Sequence, residues 1–366
     1  MTIRMTAGYT CLIALLIAVL VGGCATSNNV AVAVPTATVA PATELNIYNW
    51  DTYIDPAIIT DFEQRYGVKI NYEIFGSNEE LYDKVKGGTT NYDIVVPSDY
   101  MVAIMREEKM LAPLDRTRIP NLQNIAPEFQ NPFYDPGNRY CAPYQWGTMG
   151  IGYNLAATGK EISGLKDFFD PVYRGRVAML DDMRLSLGVV LLYLGYSPNT
   201  SNPNQIAAAR DFLIARADHI VEYAPDTGQD LLAAGQVDLA FEWSGDIFQL
   251  MSESPDFRYV IPEEGSLVWT DNICILATAP HKALAETFIN YILEPRIGAT
   301  LSNFIRFSSP NLAALPYINE QDRNDPALYP SEVVRKRLFF ITNVSSQTNA
   351  LYEQAWQEVL ASKAAP

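Results

Sequence analysis

Histidine is nearly absent from this 366-residue chain: there are two, His219 and His281. Asp218-His219 closes one helical stretch and His281 opens another, so both read as surface capping residues. No Cys/His spacing suggests zinc, and no metal is expected. A Ser-His-Asp triad lacks its G-x-S-x-G elbow. Neither a P-loop nor a G-x-G-x-x-G run is present, so no nucleotide cofactor is expected. Basic residues are also scarce, with Lys+Arg 26 against Asp+Glu 42 and a net charge of −16. Without a basic patch or Lys/Arg run, nucleic acid is excluded as a partner. An acidic surface repels anionic lipids and solutes and mildly attracts cations. Repeats and coiled-coil or collagen bias are missing too. A 48% hydrophobic, 19% charged composition of this length suits a globular chain of about two domains.

Cysteine is scarce as well, and two of the four fall early, at Cys11 and Cys24. Arg4 supplies a positive n-region, and Leu12 to Val21 is an apolar stretch too short to span a bilayer comfortably. It ends Val21-Gly22-Gly23-Cys24, which resembles the lipobox of bacterial lipoproteins. Residues 1–23 are then a signal peptide and Cys24 the lipidated residue; the alternative is an ordinary signal peptide with a chance cysteine. Residues 24–44, rich in Ala, Val, Thr and Pro, read as a flexible tether. Cys141 and Cys274 remain. Outside the cell a bridge between them is possible. Sequence cannot show that they meet, and the preferred reading is two buried cysteines packed as small hydrophobes.

The rest reads as alternating strand and helix. Leu45 to Asn49 alternates apolar and polar residues and runs into Trp50-Asp51-Thr52-Tyr53 on a strand-to-helix turn. A helical stripe, Ile58, Phe62 and Tyr66, follows and is ended by Gly67. Val68 to Ile74 alternates again, and Ser77-Asn78-Glu79-Glu80 is a capping box. Tyr92 to Pro97 is a short buried strand that delivers Ser98-Asp99-Tyr100. Later strands deliver Asp181-Asp182 and Trp243-Ser244-Gly245-Asp246, and Ser266 to Trp269 leads to Thr270-Asp271 before an apolar run. Such repetition implies an α/β fold with a mainly parallel sheet.

Five turns thus carry an aromatic or carboxylate cluster: Trp50/Tyr53, Ser98/Tyr100, Asp181/Asp182, Trp243/Asp246 and Trp269/Asp271. Any one of them could be structural. In open α/β sheets, however, turns at strand carboxyl ends converge on one crevice. A crevice walled by rings and studded with carboxylates suits a ligand with methylenes and cationic ends. Ring faces attract cations, and carboxylates give ammonium groups charge-assisted hydrogen bonds.

The motifs Tyr48-Asn49-Trp50-Asp51-Thr52-Tyr53, Tyr92 to Ser98, Pro143-Tyr144-Gln145-Trp146-Gly147, Leu194-Gly195-Tyr196-Ser197 and Ser309-Pro310-Asn311-Leu312-Ala313-Ala314 occur in that order. In these the chain resembles the periplasmic spermidine- and putrescine-binding proteins of ABC transporters. The resemblance implies a two-lobed type II periplasmic-binding-protein fold with the ligand between the lobes. It divides the body into 45–147 plus 270–316 and 148–269 plus 317–366. It also implies ligand contacts at Trp50, Asp51, Tyr53, Ser98, Tyr100, Asp182, Trp243, Asp246, Trp269, Asp271 and Phe307. Three departures accompany it: Leu185 where the family has a glutamate, Phe307 where it has a tyrosine, and no counterpart of a late glutamine near Phe340.

The expected protein is therefore a monomeric, lipid-anchored, extracytoplasmic polyamine receptor, not an enzyme, that needs no cofactor and hands its ligand to an ABC permease. A receptor for another cationic metabolite, a polyamine sensor, and a hydrolase built on a carboxylate pair such as Asp181/Asp182 are the alternatives.

Overall fold

A computed structural model describes residues 42–225 and 227–364. Cys24, the lipobox and all of the tether before Ala42 lie outside the described residues. No helix among the described residues is long and apolar enough to cross a membrane.

Strand β1 (Glu44–Trp50) pairs in parallel with β2 (Lys69–Phe75) and β3 (Ile94–Val95). The helix Pro56–Tyr66 links β1 to β2. Asp55 caps it by accepting the Ala57 N–H at 2.8 Å, and Gly67 ends it with φ 67°. Only a residue free to adopt that left-handed conformation stops the helix cleanly. Ser77 caps the next helix, Asn78–Val85, through the Glu80 amide, while Glu80 reaches back to the Gly76 N–H.

Two long strands organise the centre. β4 (Cys141–Asn154) pairs antiparallel with β9 (Ser266–Ile275) along Cys141 to Thr148. From Met149 onward β4 instead pairs with β7 (Leu239–Trp243) and β8 (Phe257–Val260). β5 (Val177–Leu180) and β6 (Ile220–Ala224) complete the sheet in the order β2-β1-β3-β9-β4-β7-β5-β6, and β10 (Leu338–Phe339) pairs with the start of β9. The expected parallel pairs are present, but the crossing strands make the sheet mixed. Separate apolar cores form on either side of the crossing. One gathers Leu45, Phe62, Ile94, Phe288 and Leu301; the other gathers Met149, Phe168, Val177, Leu187, Phe241 and Tyr352.

Four features differ from the sequence reading. Trp269 to Asp271 lies inside continuous β9 and not on a turn. The polar run Thr270-Asp271-Asn272 looks like a turn, but Thr270 N–H finds Asp99, Asn272 N–H finds Pro97 O, and Asp271 stands opposite Gln145 of β4 in the ladder. Cys141 and Cys274 are not separate thiols. They face each other across β4 and β9 with Cα atoms 4.3 Å apart and form a disulfide, at the spacing of directly opposed antiparallel residues. His219 is not on the surface: it is buried, and its ring bonds the Phe168 carbonyl at 2.8 Å. Desolvation lowers its pKa and favours the neutral ring. The reading also missed the helix Pro295–Ile305, where Pro295 occupies the first turn and so starts the helix without breaking it.

Candidate ligand-binding cleft

Asp271, on β9 where the strands cross, is held by two hydroxyl donors. Its residue is 6% exposed. Tyr53 OH donates to one carboxylate oxygen at 2.8 Å and Ser98 OH to the other at 2.6 Å. Ser98 is itself held by Asn78, which accepts its N–H and donates to its hydroxyl. Tyr144 OH donates to the Tyr53 carbonyl and steadies that side chain's backbone. Burial pushes the Asp271 carboxyl up to about 7, although both hydroxyls favour its charged form. A buried carboxylate with hydroxyl partners but no cation is costly unless a cation arrives.

Rings surround it. The Trp269 indole stands edge-on to Trp243 (5.7 Å between centroids) and to Phe307 (5.0 Å). Phe307 in turn meets Tyr53 at 5.8 Å. Glycines make room: a Cβ on Gly147 would lie 2.6 Å from the Trp269 ring, and one on Gly245 would clash with Phe307. Trp243, Trp269 and Phe307 are each only partly buried. Trp50 packs on Phe75 at 4.6 Å and donates its indole N–H to Val96 O at 2.9 Å, which fixes its plane.

A second acidic group sits on the other side of the 98–100 turn. Tyr100 OH donates to Glu79 at 3.0 Å. Burial raises the Tyr100 hydroxyl, and the charges of Glu79 and then Asp182 raise it further. Asp182 caps the helix Met183–Tyr193 by accepting the Leu185 N–H at 2.8 Å. Its carboxyl is pushed up mainly by desolvation, opposed by the amides of Leu185 and Arg184, with the Glu79 charge adding to the rise. Yet Asp182 is open to solvent. Asp246, in the first turn of the helix Ser244–Glu253, contributes its charge at the Tyr53 hydroxyl.

The structure therefore gathers Tyr53, Ser98, Asp246, Trp269, Asp271 and Phe307, with Trp243 against Trp269, in one neighbourhood, and Tyr100 with Asp182 beside it. Asp51 stands apart: it is exposed, and one oxygen accepts the Thr52 N–H at 2.8 Å in a turn where Thr52 has φ 49°. Two acids escaped the sequence reading. Glu79 has the sequence context of a capping box, and Asp99 lies between Ser98 and Tyr100 with nothing local to mark it. No ion pair among the described residues engages Asp99, Asp182 or Asp271, and no group of His, Cys, Asp and Glu among them could hold a metal ion.

Two α/β halves joined by crossing strands, with rings and buried acids gathered at the crossing, have the architecture of a two-lobed type II solute-binding protein. The comparison with known families agrees: the chain belongs to the bacterial extracellular solute-binding protein family, whose profile matches residues 57–328. That family binds solutes and is not one of enzymes, which removes the carboxylate-pair hydrolase. The putrescine-binding periplasmic protein SpuD of Pseudomonas aeruginosa is 32% identical over 340 residues, covering 87% of this chain and 92% of that protein. The spermidine/putrescine-binding periplasmic protein of Salmonella typhimurium is 33% identical over 322 residues, with the same coverage of 87% and 92%. Among solved structures, the spermidine/putrescine ABC transporter substrate-binding protein of Streptococcus pneumoniae superposes with a TM-score of 0.82 at 34% identity, covering 88% of this chain and 100% of that one. The PotD lipoprotein of Treponema pallidum does so with 0.78 at 30%, covering 86% and 99%. The chain is accordingly an extracytoplasmic solute-binding protein.

Proposed function

We propose that this protein captures a polyamine, putrescine or spermidine, between its lobes and delivers it to an ABC importer. The observation that carries the reading is Asp271, buried, aimed by Tyr53 and Ser98, and free of any ion pair among the described residues. An ammonium at Asp271 completes that pair through a charge-assisted hydrogen bond. Trp243, Trp269 and Phe307 cover the methylenes, and Glu79, Tyr100 and Asp182 receive a second ammonium. Glu79 supplies a carboxylate at the end where Leu185 supplies none. The likeness to the putrescine and spermidine receptors named above supports the same ligand class.

The lobes in this reading are 45–147 plus 270–316 and 148–269 plus 317–366. The two apolar cores support that division, since each draws almost wholly on one set. A cleft ligand that touches both lobes favours the closed arrangement. The test is calorimetric titration of the soluble body with diamines, polyamines and basic amino acids against neutral sugars. Saturable heat with the amines alone is expected; heat only with a neutral or anionic solute would end the proposal.

Cys24 carries the second half of the reading, a lipid that holds the protein at the membrane. One acyl chain binds only marginally, so stable anchoring needs a multiply acylated cysteine. Cys24→Ala is expected to release soluble protein or leave an unprocessed precursor. Unchanged processing and detergent partition would show that Cys24 anchors nothing.

A further inference from the structure

The 98–99 segment and the 270–271 segment exchange their side chains across a single antiparallel bridge, Ser98 opposite Asp271. Ser98 OH donates to Asp271, and Thr270 N–H donates to Asp99 at 2.9 Å. Strand β9 thus presents Asp271 to Ser98, and the helix Asp99–Glu107 presents Asp99, its first residue, to β9; both acids are buried, Asp99 at 3% and Asp271 at 6% exposure. We propose that Asp99 is a positioning residue that acts on the ligand through Asp271, and that the two carboxyls together release protons when a cation binds. The inference deepens the amine-binding reading and rests on it.

Among the described residues, the ionisable groups that act on this pair are tyrosines and acids, with Tyr144 of β4 feeling the Asp271 charge, and Arg106 on the helix of Asp99 turns to the Tyr134 carbonyl instead. Tyr53 follows β1, and its hydroxyl is on Asp271. Tyr134, ahead of β4, donates to Asn272 at 3.3 Å and feels the Asp99 charge. Tyr100 contributes its backbone N–H to Asp99. Asp246 adds another negative charge at Tyr53. Like charges in a water-poor setting do not both ionise without a compensating cation. Burial first, and then the Asp271 charge, push the Asp99 carboxyl up to about 8, against the pull of the Thr270 and Tyr100 amides. Titrations of such a pair belong to the pair and not to either member.

An ammonium seated on Asp271 reverses the balance. It favours the ionised form of Asp271 directly and of Asp99 through space, so carboxyl protons leave to solvent while the ammonium keeps its own. Because the free carboxyls bind protons more strongly than the occupied ones, affinity rises with pH through the range of the free pair and levels off above it. Asp99 does not touch the ligand; its effect is on the proton count and on the field at Asp271.

The parent protein is titrated with spermidine in two buffers of different ionisation heat, from about pH 6 to about pH 8.5. At about pH 6.5 more than one proton is expected to leave per ligand, and affinity is expected to rise more than roughly tenfold per pH unit. Asp99→Asn, checked for an unchanged circular dichroism spectrum, is expected to release one proton or fewer. Its pH dependence should level off at lower pH, because Asp99, the later of the two carboxyls to ionise, is gone and Asp271 alone titrates. Proton release of one or less in the parent, or an identical slope in Asp99→Asn, would overturn the inference while leaving amine binding intact. Absence of spermidine binding at every pH would instead remove the function on which it rests. The parent measurement needs no variant, so a folding defect in Asp99→Asn does not blunt the test.

Discussion

Asp271→Asn is expected to weaken spermidine or putrescine binding by roughly a hundredfold or more. The carboxylate is buried and already holds two hydroxyl donors. Removing one partner from a buried ion pair costs about 3–5 kcal/mol, mostly because the other charge is left uncompensated. At about 1.4 kcal/mol per factor of ten, that is two orders of magnitude or more. Asparagine keeps the shape, so the melting temperature of the free protein should change little. Its pH dependence has a definite sign. In the folded protein, burial pushes the Asp271 carboxyl up to about 7, well above the ordinary carboxylate range. Its protonated form therefore favours folding below that range, and the advantage fades as pH rises through about 7. Asp271→Asn removes this fall, so any stabilisation should be larger at pH 8 than at pH 5. Asp182→Asn and Asp246→Asn should each cost less binding, because Asp182 is open to water and its charge is better screened. Calorimetry on the three variants decides the order. If Asp271→Asn binds every amine as tightly as the parent, Asp271 is a structural residue of β9.

The double substitution Cys141→Ala with Cys274→Ala is expected to lower stability by about 2–5 kcal/mol. The bridge spans 133 positions, for which loop-closure entropy alone corresponds to about 5 kcal/mol. For a chain of this size that is a fall in melting temperature of roughly 3–7 °C. The bridge sits three residues from Asp271 in β9 and fixes β9 against β4 where the sheet begins to cross. The ligand site should therefore weaken less than the fold does, since Ser98 and Tyr53 still hold Asp271. Thermal melts of the parent and variant under oxidising and reducing conditions read the effect. Equal melting temperatures in all four would show that the β4–β9 ladder alone carries the contact.

Much of this architecture is legible in the residues because local signals and global fold agree. β1 alternates, Asp55 and Pro56 start a helix, Gly67 stops it, and Ser77 caps the next. Where tertiary partners override local chemistry, reading fails. Thr270-Asp271-Asn272 has turn composition, and only the distant acceptors Asp99 and Pro97 let it run as strand. His219 carries a charge-capable ring beside Asp218 and looks external, yet the Phe168 carbonyl satisfies it inside. Glu79 has the sequence context of a helix N-terminus, and its bond to Tyr100 depends on a segment 21 positions away. The disulfide needs the β4–β9 register, which no spacing rule supplies. Trp243 and Trp269 stand out in the sequence as residue types beside strand ends, and Phe307 enters only through the family resemblance; the edge-to-face order of the three rings is not legible there.

The central claim is that a small organic cation is gripped between two lobes by rings and buried acids. Small-angle scattering on the parent protein, recorded free and saturated with the amine that gives the largest heat, tests it most directly, with tryptophan emission read on the same samples. A smaller radius of gyration and a changed emission from Trp50, Trp243 and Trp269 are expected on saturation. Tight amine binding with identical scattering and identical emission would contradict it, since the ligand would then lie outside the crevice that these residues enclose.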